Sequence, residues 1–115
     1  MADSLHITAQ EGSGSGVAIL RLSGKLGLDT VPDFLRAVRA VKEKNMVLDI
    51  AEMNYVDSSG VGALVQQFSA LKKDGRQMAL VKPHDRVVAV LQITKVLSLF
   101  QRFNSVEEAE AQLKS

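Results

Sequence analysis

The stretch Asn54–Lys73, NYVDSSGVGALVQQFSALKK, contains its own contradiction. From Val61 onward the apolar residues Val61, Leu64, Val65, Phe68 and Leu71 keep the spacing of one helical face. Lys72, Lys73 and the pair Asp74-Gly75 then end the pattern. Yet the helix opens on two serines and two glycines, and each interior Gly costs about 1 kcal/mol relative to Ala. Gly60 and Gly62 therefore weaken the turn they introduce, for a reason that local propensity does not supply. Asp57 or Ser58 is expected to cap this helix, because a short side-chain oxygen there accepts an otherwise orphan backbone N–H. That leaves Ser59 in the first turn.

Working outward, the neighbouring segments alternate between strand and helix. Upstream, Met46–Ile50 (MVLDI) reads as a short buried strand that ends near Ile50 before the chain turns. Before it, DTVPDFLRAVRAVKEKN carries a helical stripe in Val31, Phe34, Leu35, Val38 and Val41. Thr30 is its expected N-cap, with Pro32 in the first turn and Asp33 completing a Thr-x-x-Asp pattern. GVAILRLSG is a strand, SLHITAQ alternates more loosely, and EGSGSG between them reads as a hairpin loop. That loop does not resemble a phosphate-binding loop, since no Gly-Lys-Ser/Thr ending and no helix follow it. Downstream come a strand in RQMALVKP, a helix in HDRVVAVLQIT and an edge strand around Phe100–Phe103. A last helix is announced by the Ser105-x-x-Glu108 capping box. The expected architecture is α/β (α+β), one domain over residues 1–115, with a mixed β-sheet covered by about four helices.

Composition narrows the function. The 4% aromatic content and absent Trp argue against a base-stacking platform, and a net charge of +1 gives no reason to expect direct nucleic-acid binding. Without Cys there is no disulfide, thiolate metal site or thiol nucleophile. The amino terminus lacks the basic-then-apolar pattern of a secretion signal, and no run is long enough for membrane insertion. A soluble, cytoplasmic domain is expected. His6 and His84 are the only histidines; neither sits in a metal or catalytic motif, and Ser58 and Ser59 do not lie in a Gly-x-Ser-x-Gly elbow. Both histidines read as surface or capping residues. No catalytic residue, metal ligand or cofactor is therefore assigned, and the chain is not expected to be an enzyme. A small hydrolase using Ser58 or Ser59 is the remote alternative.

With Asp57-Ser58-Ser59-Gly60 leading an amphipathic helix and MVLDIAEMNYV before it, the chain resembles the STAS-domain anti-sigma factor antagonists of bacteria. AILRLSGKL and the closing segment ALVKPHDRVVAVLQITKVLSLFQRFNSVEEA extend the resemblance over nearly the whole chain. It implies a STAS-like domain in which Ser59 is the phosphoacceptor. It also implies a partner switch: the unphosphorylated chain binds an anti-sigma factor that is also a serine kinase, phosphorylation releases it, and a serine phosphatase resets it. Asp57, Ser58, Ser59, Gly60 and Gly62 would form the partner-binding surface, and a phosphate on Ser59 would meet unpaired helix N–H groups. The competing implication is a constitutive STAS scaffold or a regulatory subunit of a membrane transporter. Two positions depart from the family pattern. Gly27 stands where many members carry Asp, and Thr94-Lys95 replaces a frequent Thr-Gly.

Overall fold

Residues Met46, Val47 and Leu48 are all buried, as in a strand covered on both faces. That strand is the centre of the computed structural model, which describes residues 4–11 and 16–113. The order is β1 (Leu5–Glu11), β2 (Val17–Leu26), α1 (Val31–Arg39), β3 (Asn45–Val56), α2 (Ser58–Lys73), β4 (Met78–Val81) and α3 (Asp85–Ile93). A 3-10 turn (Leu97–Leu99), β5 (Gln101–Phe103) and α4 (Val106–Leu113) complete it. The five strands lie in sequence order. β1 pairs antiparallel with β2, and every later pairing is parallel. This is the mixed sheet with four helices that the segment pattern implies. The tip of the EGSGSG loop lies outside the described residues.

Each parallel step needs a crossover, and helices supply all three. Phe34 and Val38 of α1, Val61, Ala63, Leu64 and Leu71 of α2, and Val87 and Leu91 of α3 share one core with Leu20, Leu22, Leu48 and Ile50. On the other face Ala109 and Leu113 of α4 pack on Val17, Ile19, Val47, Ala79 and Val81. The alternation in β2 is thus a division between two cores.

α4 is fastened by a buried amide. Asn45 Nδ2 donates to the Leu113 carbonyl at 2.6 Å, and its Oδ1 accepts from the Gln77 N–H at 2.9 Å. Asn45 is only 1% exposed, so removing its side chain strands both partners where water reaches poorly. Asn45→Ala is expected to lower the unfolding free energy by about 2 kcal/mol in urea titration. A loss below about 0.5 kcal/mol, the size of an ordinary surface substitution, overturns this account.

Several local expectations are corrected. β3 does not end near Ile50 but runs to Val56, because β2 continues alongside it to the Leu26–Val56 pair through two register shifts. Met53 and Val56 supply the buried residues of this extension, while Glu52 and Asn54, poor strand formers, face water. α1 stops at Arg39, and Val41 packs on the core from beyond its end. Thr30 occupies the N-cap position without a side-chain cap bond. β5 begins at Gln101; Phe100 instead buries its ring edge-on to Phe68, with centroids 5.1 Å apart. At the end of α3, Lys95 takes the left-handed conformation (φ 63°) usually left to Gly, and Val96 N–H reaches back to the Leu91 carbonyl. The turn therefore forms without glycine.

Of the other two helix starts, that of α4 forms half of its expected capping box, because Glu108 takes the N–H of the residue before the cap. His84 caps α3, with Nδ1 accepting from the Arg86 N–H at 3.1 Å. Ser105 Oγ accepts from the Glu108 N–H at 3.0 Å, while Glu108 Oε1 takes the Asn104 N–H at 3.1 Å.

Candidate functional site

The extra length of β3 determines where the serines sit. Val56 is the last strand residue, Asp57 is the N-cap, and Ser58 is already the first residue of α2. No loop intervenes. The choice between Asp57 and Ser58 as cap is therefore settled for Asp57, whose backbone is extended (φ −107°, ψ −175°) as a cap requires. Its Oδ1 accepts from the Gly60 N–H at 2.9 Å, and its own carbonyl accepts the first helical bond from Val61 N–H. Ser58 is exposed and Ser59 half-buried in the first turn.

Asp57 also reaches sideways. Its Oδ2 accepts from the Leu28 N–H at 3.1 Å, joining α2 to the turn that follows β2. Inside that turn the Gly27 carbonyl accepts from both Thr30 N–H and Val31 N–H at 2.9 Å. Thr30 Oγ1 accepts from the Gly27 N–H at 3.0 Å and donates to the Lys25 carbonyl at 2.8 Å. The hydroxyl expected to cap α1 thus braces the turn. Lys25 returns over the Tyr55 ring with Nζ 5.0 Å from its centroid, a cation–π contact.

The carboxyl of Asp57 is poised between opposing influences. Partial burial raises its pKa, but N–H donation from Gly60, Leu28 and Ser59 and the charge of Lys25 outweigh it, so the net shift is downward. A folded-state pKa below the unfolded one stabilises the fold above the ordinary Asp value of about 3.9, and this is lost as pH falls through the lowered value. Asp57→Asn keeps a capping acceptor without the charge. Its stability deficit in urea is expected to be largest at neutral pH and to shrink on acidification through that range. A deficit that stays constant with pH overturns the assignment.

These contacts change one expectation. The Gly60 N–H is already bonded to the Asp57 carboxylate and the Ser59 N–H helps to hold that carboxyl's pKa down, so a phosphate on Ser59 would compete for them instead of finding them free.

The two glycines separate. A Cβ on Gly60 would stand 2.3 Å from the Leu26 carbonyl oxygen and 2.7 Å from Val56 Cγ2. Gly62 is exposed, and a Cβ there would meet nothing within 4 Å. Packing of α2 on β2 accounts for Gly60 alone. Gly27 is also hemmed in, since a Cβ there would lie 2.8 Å from Asp57 Oδ2. A carboxylate at that position would press on the cap.

The structure thus brings Asp57, Ser58, Ser59 and Gly60 together at one helix start, with Gly62 one turn along. Leu28 joins this neighbourhood from 29 residues upstream, and the sequence offered no signal for it. Among the described residues, no group of three or more His, Asp and Glu side chains is arranged to hold a metal ion. No helix there is long and apolar enough to cross a membrane.

Comparison with known proteins bears on this geometry. Residues 10–109 match the STAS domain model. The anti-sigma F factor antagonist of Paenibacillus polymyxa is 25% identical over 104 residues, covering 86% of this chain and 88% of that protein. An anti-sigma factor antagonist from Mycobacterium paratuberculosis superposes with a TM-score of 0.86 at 19% identity, covering 100% of this chain and 98% of the other. The Bacillus cell fate determinant SpoIIAA in its phosphorylated form gives a TM-score of 0.66 at 17% identity over 93% of this chain and 98% of its own. A family match across most of the length, on a fold shared with antagonists of anti-sigma factors, places the chain in the STAS domain family.

Proposed function

We propose that this chain is an anti-sigma factor antagonist that works as a phosphorylation-controlled partner switch. The observation that carries this reading is Ser59 in the first turn of α2, half-buried one turn from an exposed glycine with open space where a side chain would stand. A helix start without bulk lets another protein's backbone or active site come close to the hydroxyl. The name of the Paenibacillus relative supports the antagonist part, and a phosphorylated structural neighbour supports the covalent part.

In this reading the unphosphorylated surface Asp57, Ser58, Ser59 and Gly62 docks on a cytoplasmic anti-sigma factor with serine kinase activity, while Gly60, expected to join that surface, is buried against β2 and supports it from beneath. The kinase transfers a phosphoryl group from its own ATP to Ser59 Oγ, and a serine phosphatase removes it. Phosphoserine adds about −1.5 to −2 charge. The helix dipole offsets only about 0.3–1 kcal/mol of this, whereas burying an unpaired charge in an interface costs several kcal/mol. Asp57, whose carboxylate already takes the Gly60 N–H, adds repulsion. The fold therefore survives phosphorylation while the complex does not.

The direct test is to purify the chain from its native cells and map phosphate on the Asn54–Lys72 segment by fragmentation mass spectrometry. Phosphate on Ser59 whose occupancy changes with growth conditions is the expected result. A segment that is unmodified under every condition overturns the switch and favours a constitutive STAS module.

A further inference from the structure

A lone exposed leucine is ordinary on a protein surface, but one whose backbone is hydrogen-bonded into a candidate binding site is placed to touch whatever binds there. Leu28 is such a case, being 70% exposed. Its turn is fixed by the paired Thr30 and Val31 N–H bonds to the Gly27 carbonyl and by the Thr30 hydroxyl. The Leu28 N–H and the Gly60 N–H converge on the two oxygens of one carboxylate, that of Asp57. The turn and the serine-bearing helix start are consequently joined through one carboxylate. Nothing in the turn's hydrogen bonding requires an apolar residue at position 28, because only its backbone is used. A preorganised turn loses little conformational freedom on binding, which favours the use of its exposed side chain as an anchor.

We propose that Leu28 is a partner-contacting residue of the switch surface: it seats in an apolar pocket of the anti-sigma factor, and Asp57 is the positioning residue that presents it. The proposal rests on the antagonist reading above. It adds an apolar, specificity-determining contact to a surface otherwise made of Asp57, two serines and Gly62. Ile93 is more exposed still, at 79%, but lies at the end of α3 without a bond to the cap, and serves as the internal control.

The experiment titrates each purified anti-sigma factor kinase of the source genome calorimetrically with the unphosphorylated wild-type chain. Leu28→Ser, Leu28→Met and Ile93→Ser follow against the kinase that binds. Leu28→Ser is expected to bind at least about tenfold more weakly with an unchanged melting temperature, and Leu28→Met and Ile93→Ser within about threefold of wild type. Leu28→Ser binding within that same range overturns the proposal while leaving the antagonist reading intact. Equal loss in Leu28→Met and Leu28→Ser also overturns it, since an apolar anchor tolerates methionine. A Leu28-dependent dimer of the chain alone in sedimentation overturns it too, because a second copy then covers the residue. If the wild type binds no kinase at all, the antagonist reading falls and this inference falls with it.

Discussion

Gly60→Ala is expected to lower the unfolding free energy by about 3 kcal/mol or more, whereas Gly62→Ala raises it by up to about 1 kcal/mol. The same substitution two residues apart acts in opposite directions. At Gly60 the added carbon would stand 2.3 Å from the Leu26 carbonyl, which belongs to a central strand, so neither side can move without disturbing β2. Overpacking against rigid backbone is costly because close-packed interiors transmit strain instead of absorbing it. At Gly62 the methyl group enters open space, and only the better helix propensity of Ala remains. Urea unfolding of the two variants checks the pair. Equal effects of either sign show that α2 does not approach β2 as described. If the switch reading holds, Gly62→Ala also weakens partner binding despite the stabler fold, because the space it fills is then used by the partner.

On the proposed switch reading, Ser59→Asp binds the isolated partner kinase about a hundred- to a thousandfold more weakly than wild type, while Ser59→Ala binds normally and escapes regulation. An aspartate places one permanent charge at the second residue of α2, where Ser59 is only half-exposed in the free chain. Docking would remove its remaining water. An uncompensated charge buried in an interface costs several kcal/mol, and about 4 kcal/mol corresponds to a thousandfold in affinity. The fold should tolerate the change. The helix dipole favours a negative charge in the first turn by about 0.3–1 kcal/mol, against which Asp57 supplies repulsion. Calorimetric titration together with thermal unfolding separates the two effects. Equal affinities of wild type and Ser59→Asp overturn the switch, and an unfolded variant shows that Ser59 serves the fold.

The legible parts of this protein were those whose cause is local. The apolar stripe of α2 announced its helix, and the Ser105 cap announced α4. The resemblance to the STAS family rested on a short run of chain from Asp57 to Gly60 with matching flanks. What stayed hidden depended on neighbours distant in sequence. Glu52 and Asn54 look unlike strand residues, and only pairing with β2 carries β3 through them to Val56. Asp57 and Ser58 were equivalent candidates for the cap until the strand ran directly into the helix and left Asp57 extended. Thr30 looked like a cap and became a brace because Lys25 and Gly27 folded back onto it.

Sequence by itself determined the order of elements, the helical face of α2 and the position of Ser59 in its first turn, since periodicity and capping are written within a few residues. Tertiary structure alone decided that Gly60 is a packing requirement and Gly62 is not, and that Leu28 shares a carboxylate with the helix start. Both facts depend on which atoms of β2 and its following turn lie against α2. Contacts between segments about 30 residues apart are fixed by sheet register, which no local pattern encodes.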